Sequence, residues 1–126
     1  MNDFRQFEVF PDHAECRLAT KVSIHEAAQM ITAAIVHARE RDQRNLLLDI
    51  TALSGFEPPG IGQRFFFFEE WARAARAQVR VAFVARPEMI DARKFGITVA
   101  ANNNFTAEAF TSKPEALAWL RALSEE

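Results

Sequence analysis

The sequence has little of what ties a small protein together by covalent or metal bonds. Its 126 residues include one cysteine, so an internal disulfide and a cysteine-based zinc site are both excluded. Glycine and proline are scarce, with 4 and 5 copies, which argues against a fibrous or disordered chain. Because 49% of the residues are hydrophobic, we expect one compact domain over residues 1–126 that buries its own core.

Neither sign of charge dominates, and no hydrophobic run is long. Lys and Arg total 15 against 17 Asp and Glu, which gives a formal net charge of -2. A domain that binds nucleic acid by neutralising phosphates carries an excess of basic residues, so we expect no nucleic-acid binding. No apolar stretch approaches the length of a membrane span, and the first residues lack a basic segment followed by an apolar one. We therefore expect a cytoplasmic protein.

The first third of the chain predicts a β-hairpin followed by a helix. Residues 4–10 and 14–22 have the composition of strands, and the short connection 11–13 favours antiparallel pairing. A helix then begins after Ser23, because Ser23 and Glu26 have the spacing of a capping box. Its apolar residues recur at helical spacing and predict one buried stripe: Ile24, Ala27, Ala28, Ile31, Ile35 and Ala38.

The remaining chain predicts strands that alternate with helices. Residues 46–50 and 79–85 are apolar without alternation, as in parallel strands covered on both faces. The other predicted elements are a loop over 51–60, helices over 61–77 and from Pro87 to the asparagines 102–104, a strand over 105–111, and a last helix that begins with a capping box of Ser112 and Glu115. The order ββαβαβαβα predicts a single-domain α/β fold, with a mostly parallel sheet and an N-terminal antiparallel hairpin.

In an open parallel sheet, ligands and partners bind where strands end and helices begin, which directs attention to residues 49–62. This segment also resembles a known motif. Asp49 ends that strand, and eight residues later the turn 57–62 begins the next helix with Gly60 and Gly62. This spacing resembles the STAS domain, a family that includes bacterial anti-sigma-factor antagonists and the cytoplasmic tails of sulfate transporters. Residues 108–120 are also similar to the end of small stand-alone STAS-like proteins, where a helix ends Ala-x-x-Trp-Leu. The resemblance implies a STAS-like α/β fold and a non-enzymatic module that acts by protein association.

The turn departs from the family at the position that matters for regulation. Glu57, Pro58 and Pro59 stand where the family carries Asp-Ser-Ser, and Pro59 replaces the serine that accepts phosphate in regulated members. Since proline has no hydroxyl, the usual phosphorylation switch is predicted to be lost. Thr51 and Ser54 lie nearby, and for each of them a turn role and a displaced phosphorylation site stay open.

Four consecutive phenylalanines, residues 65–68, begin the helix after this turn, and Trp71 follows. Successive helical residues are about 100° apart, so the four rings cannot share one face. Helical spacing predicts a stripe buried in the core, made of Ile61, Phe65, Phe68, Ala72 and Ala75. Phe67, Trp71 and Ala74 then form a flank beside it, and Phe66 falls on the polar side.

Adjacent aromatic residues outside the core are typical of an interface or a pocket. We therefore expect a protein partner, or a second copy in a homodimer, to contact Phe66, Phe67 and Trp71 together with the turn 57–60, that is, Glu57, Pro58, Pro59 and Gly60. The alternative is a carrier of a small apolar ligand or lipid, held by Phe65, Phe68 and Trp71. This alternative draws on a similarity in α/β layout between STAS-like proteins and the CRAL-TRIO lipid-transfer fold.

The polar residues do not form the pattern of an enzyme. His13, His25 and His37 are far apart in the predicted elements, and we expect each to be a solvated surface side chain. Asp49 lacks the paired acids that hold Mg²⁺ beside a phosphoacceptor, so its predicted role is to cap backbone amides. The segment from Gly60 to Gly62 lacks the third glycine of a dinucleotide fingerprint.

We therefore predict no catalytic residue, no metal and no cofactor, although a hydrolase that uses Asp49 or Glu57 remains a third option. Alternation places Cys16 on the apolar face of its strand, where we expect an inert thiol.

Overall fold

A computed structural model describes residues 6–90 and 101–124. The described chain is an α/β structure with a five-stranded mixed sheet. Its strands are β1 (Phe7–Val9), β2 (Ala14–Lys21), β3 (Asn45–Ser54), β4 (Arg80–Val84) and β5 (Ala107–Phe110). Its main helices are α1 (Ile24–Glu40), α2 (Ile61–Ala75) and α3 (Lys113–Ser124), and a short 3-10 helix spans Pro87–Met89.

The strands lie side by side in the order of the sequence, β1-β2-β3-β4-β5. β1 and β2 pair antiparallel, with Glu8 opposite Glu15, and every later neighbour pairs parallel. The predicted hairpin and the mostly parallel sheet are therefore confirmed. The short connection 11–13 explains the hairpin, because parallel strands need a crossover of a dozen residues or more.

Helices cover both faces of the sheet. Leu46 and Leu48 of β3 belong to the core cluster beneath α1 and α2, whereas Leu47 packs with Ala116 and Leu120 of α3 on the opposite face. Alternation along a strand sends neighbouring side chains to opposite faces, so burial on both sides requires the continuous apolar run seen in β3.

The predicted capping box at the start of α1 is present. The Glu26 N–H donates to Ser23 Oγ (3.1 Å), and the Ser23 N–H donates to Glu26 Oε1 (3.2 Å). Helix α2 begins differently, since its N-cap is Gly60, whose N–H donates to Gln63 Oε1 (3.2 Å). Gly60 has no side chain that could accept hydrogen bonds from the unpaired backbone N–H groups of the first turn.

Several predicted boundaries differ from the structure. β3 continues to Ser54, so the first four residues of the predicted loop 51–60 are strand, and residues 52–54 pair with the end of β2. Pro87 begins only a 3-10 turn, and most of the third predicted helix falls on residues 91–100, outside the described residues. The start of the first predicted strand, at residues 4 and 5, also lies outside them.

The predicted buried stripe of α2 is confirmed at Ala72 and Ala75, which are buried, and at Phe68, which packs partly buried on the core, but it is wrong at the start of the helix. Ile61 and Phe65 are 59% and 45% exposed, whereas Phe67 and Trp71 are only 5% and 7% exposed. Helical spacing does not show which face is covered, and α2 packs against α1 through Trp71 as well as on the sheet through the rings of Phe68 and Phe83. Two neighbouring faces are therefore buried, and the first turn extends past them.

Candidate apolar binding site

An apolar cavity of about 90 Å³ lies under α2, at the carboxyl ends of the parallel strands. Ile50 and Leu53 of β3 and Phe83 of β4 line it from the sheet, while α1 contributes Ala28 and Ile31. Ligands of open α/β sheets bind at this end of the strands, because the connecting loops there leave a crevice. The cavity therefore occupies the usual place for a binding site in this architecture.

Aromatic rings from α2 and β4 form one wall of the cavity. The centroid of the Trp71 ring lies 4.8 Å from the ring centroid of Phe68, 6.0 Å from that of Phe67 and 5.4 Å from that of Phe83. The indole N–H of Trp71 donates to the backbone oxygen of Ala28 at 3.2 Å. Because this polar atom already has a partner, the wall that Trp71 presents to the cavity is apolar.

The loops after β3 and β4 form the mouth of the cavity. Phe56 and Pro59 come from the first loop, and Met89 and Ile90 from the second. Arg64 joins the two loops, since its Nε donates to the Pro59 oxygen (3.1 Å) and its Nη1 donates to the Met89 oxygen (2.9 Å). Among the described lining residues, Arg64 is the single charged side chain.

The structure brings together part of the predicted ligand site. Phe68 and Trp71 line the cavity as expected, but Phe65 is absent from the described lining and lies largely exposed. The sequence analysis missed Phe56, Arg64 and Met89. The strand-end rule covered Phe56, since it directed attention to residues 49–62, but no pattern indicated that the polar side of α2 would place Arg64 at the mouth.

The predicted partner surface is divided by the fold. Glu57, Pro58 and Gly60 are exposed in the loop before α2, and Phe66 is 56% exposed. Pro59 is half-buried at the cavity mouth. Phe67 and Trp71 are buried against α1 and the sheet, so the expectation that these two rings form an accessible flank is wrong.

Asp49 has the capping role that was predicted for it. Its Oδ1 accepts from the Thr51 N–H (2.9 Å) and from the Thr51 hydroxyl (2.6 Å), while Arg17 Nε lies 3.9 Å from its Oδ2. The Thr51 hydroxyl is thus engaged within the strand, and Ser54 is exposed at the strand end. Within the described parts of the chain, no three His, Cys, Asp or Glu side chains are grouped to hold a metal ion.

His13 is not the solvated side chain that the sequence suggested, because it is buried in the connection between β1 and β2. Its Nδ1 lies 2.6 Å from Asp12 Oδ1, and its Nε2 lies 2.8 Å from Glu15 Oε2. Both contacts are hydrogen bonds at once only when both ring nitrogens carry protons. Arg121 and Lys113 of α3 complete the cluster with ion pairs to Asp12 (3.0 Å) and Glu15 (2.6 Å).

The other two histidines differ from each other. His25 is exposed near the start of α1, with its ring edge-on to Phe67 at 6.1 Å. His37 is half-buried, and its ring meets Phe7 edge-on at 4.5 Å. Burial and then the nearby Arg41 lower the pKa of His37. The predicted surface role thus fits His25 better than His37.

The charged cluster around His13 predicts acid-sensitive stability. The hydrogen bond from His13, and then that from Arg121, lowers the pKa of Asp12 to about 2 from its usual 3.8. Partial burial alone would raise the pKa of Glu15, but the hydrogen bonds from His13 and Lys113 outweigh it and lower the pKa. A carboxylate with a lowered folded-state pKa stabilises the fold above its unfolded pKa, and this contribution disappears as pH falls through the folded value. We expect the Asp12 contribution to be lost between about pH 4 and pH 2.

Carboxyl NMR titration of the wild type and of two variants, Arg121→Gln and His13→Gln, checks this assignment. The pKa of Asp12 should rise in both, and more in His13→Gln, because the His13 bond is the larger cause. An Asp12 pKa that stays near 2 in His13→Gln would contradict the assignment.

Cys16 predicts a second solution property. It is 2% exposed in the middle of β2, and burial raises the pKa of its thiol to about 11. The thiolate is the reactive form, so a charged thiol reagent should label the native protein only as fast as it unfolds. Mass spectrometry of labelling with and without denaturant measures this, and stoichiometric modification within minutes in native buffer would show that the strand opens locally.

No protein-family model matches the chain, and the search of curated proteins finds no match. The STAS-like assignment therefore remains a prediction from the motifs at residues 49–62 and 108–120. No described helix combines the length and the apolar character needed to cross a membrane.

Proposed function

We propose that the protein binds a small apolar ligand in the cavity under α2. The observation that carries this proposal is a cavity lined by apolar side chains at the carboxyl ends of the parallel strands. In an ordinary core, packing leaves few voids larger than a water molecule. An apolar molecule that enters displaces water from aromatic and aliphatic walls and gains dispersion contacts with them.

The size of the cavity limits the ligand. Its volume of about 90 Å³ is smaller than the roughly 150 Å³ of an engineered apolar cavity that takes benzene. The buried part of the ligand is therefore a single small ring, which widens the cavity slightly, or a short alkyl group. A long acyl chain, as in the lipid carrier considered from the sequence, would require α2 and the mouth loops to move apart.

Tryptophan fluorescence tests this function directly. Trp119 belongs to α3 and packs on Phe110 of β5, away from the cavity. The variant Trp119→Phe therefore leaves Trp71 as the single tryptophan that reports binding. Titration with benzene or toluene should change the Trp71 emission saturably. Adding Ala28→Leu, which fills the cavity from α1, should abolish this change, whereas Ala33→Leu on the same helix should not.

Binding that survives Ala28→Leu would place the ligand elsewhere, and a wild-type protein that binds neither molecule would refute the proposal.

A second candidate function is protein association without a phosphorylation switch. It is favoured by the exposed rings and side chains at the start of α2, where Phe66 and Ile61 are more than half exposed. Beside Phe66, a groove of about 230 Å³ between α1 and α2 is lined by both aromatic and polar side chains, and the polar ones include His25, Gln29 and Glu70. Interfaces commonly combine aromatic and polar side chains, and the exposed loop 57–60 directly precedes the helix that carries Phe66.

Burial of Phe66 in an interface would contribute about 1.5 to 3 kcal/mol to the free energy of association for each copy of the side chain. Under this candidate function the protein is a homodimer or binds a partner protein, and Phe66→Glu should give a folded monomer in light scattering. The matched control is Arg73→Gln, exposed on the same helix but outside the lining of the groove, which should leave the mass unchanged. A wild-type protein that stays monomeric at high concentration would rule out the homodimer.

A further inference from the structure

Arg64 places one positive charge at the mouth of an otherwise apolar cavity. Its two hydrogen bonds go to the backbone oxygens of Pro59 and Met89, which carry no net charge. No carboxylate of the described residues pairs with its guanidinium. The charge at the mouth is therefore uncompensated within the described structure.

The neighbouring arginines differ from Arg64 in this respect. Arg73, on the same helix, has an ion pair with Glu70 at 3.0 Å. Arg86, which follows β4, donates to the Leu53 oxygen (3.0 Å) and has Glu88 within 3.7 Å. Each of these two charges thus has an acidic side chain close to it.

The side chain of Arg64 is also held in one orientation. A guanidinium has five N–H donors in a fixed plane, and the bonds to Pro59 and Met89 use only two of them. The two bonds fix the guanidinium between both mouth loops. Binding of an anion by the remaining N–H donors therefore costs little further side-chain entropy. A planar carboxylate matches such a fork, and hydrogen bonds between charged groups are the strong ones.

We infer that the ligand is a small monocarboxylate, whose ring or short alkyl group enters the cavity while its carboxylate binds Arg64. This inference rests on the proposed function and narrows it to one class of molecule. The apolar wall around Trp71 selects the size of the buried group, and Arg64 selects the charge and fixes which end of the ligand faces solvent.

Two ligands of nearly the same shape test the inference, phenylacetate and phenylacetamide, with Trp71 as the reporter in the Trp119→Phe background. The wild-type mouth should bind phenylacetate about tenfold or more tightly than the neutral amide. Arg64→Gln should remove this preference by weakening phenylacetate at least tenfold, with phenylacetamide unchanged. Arg73→Gln is the matched control and should change neither affinity.

The outcomes separate this inference from the proposed function. If phenylacetamide binds as tightly as phenylacetate, the cavity binds apolar ligands without charge selection and the inference is wrong. If Arg64→Gln weakens both ligands equally, Arg64 only ties the mouth loops together, which also overturns it. If neither molecule binds and benzene also fails to bind, the proposed function itself fails.

Discussion

Glutamate in place of Phe67 should unfold the domain, whereas glutamate in place of its neighbour Phe66 should leave it folded. Phe67 is 5% exposed and packs on Trp71, while Phe66 is 56% exposed. Loss of a buried phenylalanine costs about 3–5 kcal/mol, and an unpaired buried charge costs several more. Together these costs equal most of the roughly 5–15 kcal/mol that stabilises a typical domain.

Circular dichroism and urea unfolding of the two single variants measure this difference. Phe66→Glu should shift the free energy of unfolding by about 1 kcal/mol or less, as for most surface changes. The comparison also distinguishes a core role from an interface role, because of the two rings only Phe66 is accessible to a partner. Equal losses of stability in the two variants would show that the orientation of α2 described above is wrong.

Alanine at Gly55 should destabilise the protein by about 2 kcal/mol or more. Gly55 follows β3 with a φ of 100°, where residues with a side chain are strained. A Cβ atom would also lie 2.6 Å from the Val22 backbone oxygen, so β2 and β3 would have to separate at their ends. Chemical denaturation of Gly55→Ala measures the effect.

Gly62→Ala is the control for this change. Gly62 lies in the first turn of α2, and a Cβ atom there meets nothing within 4 Å. Alanine favours the helix by up to about 1 kcal/mol over glycine, so this variant should be as stable as the wild type or more stable. A Gly55→Ala protein with wild-type stability would contradict the backbone conformation at the end of β3.

Local patterns predicted the elements well. The short connection 11–13 indicated the antiparallel hairpin, the spacing of Ser23 and Glu26 located the start of α1, and alternation along β2 placed Cys16 in the core. Each of these predictions depends on residues close together in the chain, where backbone geometry and hydrogen-bonding needs act directly. The parallel pairing of the later strands was predicted because helix-forming sequence separates each of them from the next.

The candidate site could be predicted only in part. The strand-end rule pointed to residues 49–62, and Phe68 and Trp71, which were expected to hold an apolar ligand, line the cavity. Phe65 was placed in the wrong environment, because helical spacing gives the angles between side chains but not which angle faces the core.

The sequence by itself determined the type of each main element, the strand pairing of the hairpin and the apolar character of the region around α2. Only the tertiary structure decided how α2 is rotated, because its rotation depends on packing against both α1 and the sheet. That rotation buries Phe67 and Trp71, exposes Phe66 and places Arg64 at the mouth of the cavity. The burial of His13 between two carboxylates also depends on tertiary structure. Arg121 and Lys113 of α3, about a hundred residues further along the chain, bind the carboxylates of Asp12 and Glu15 that contact His13.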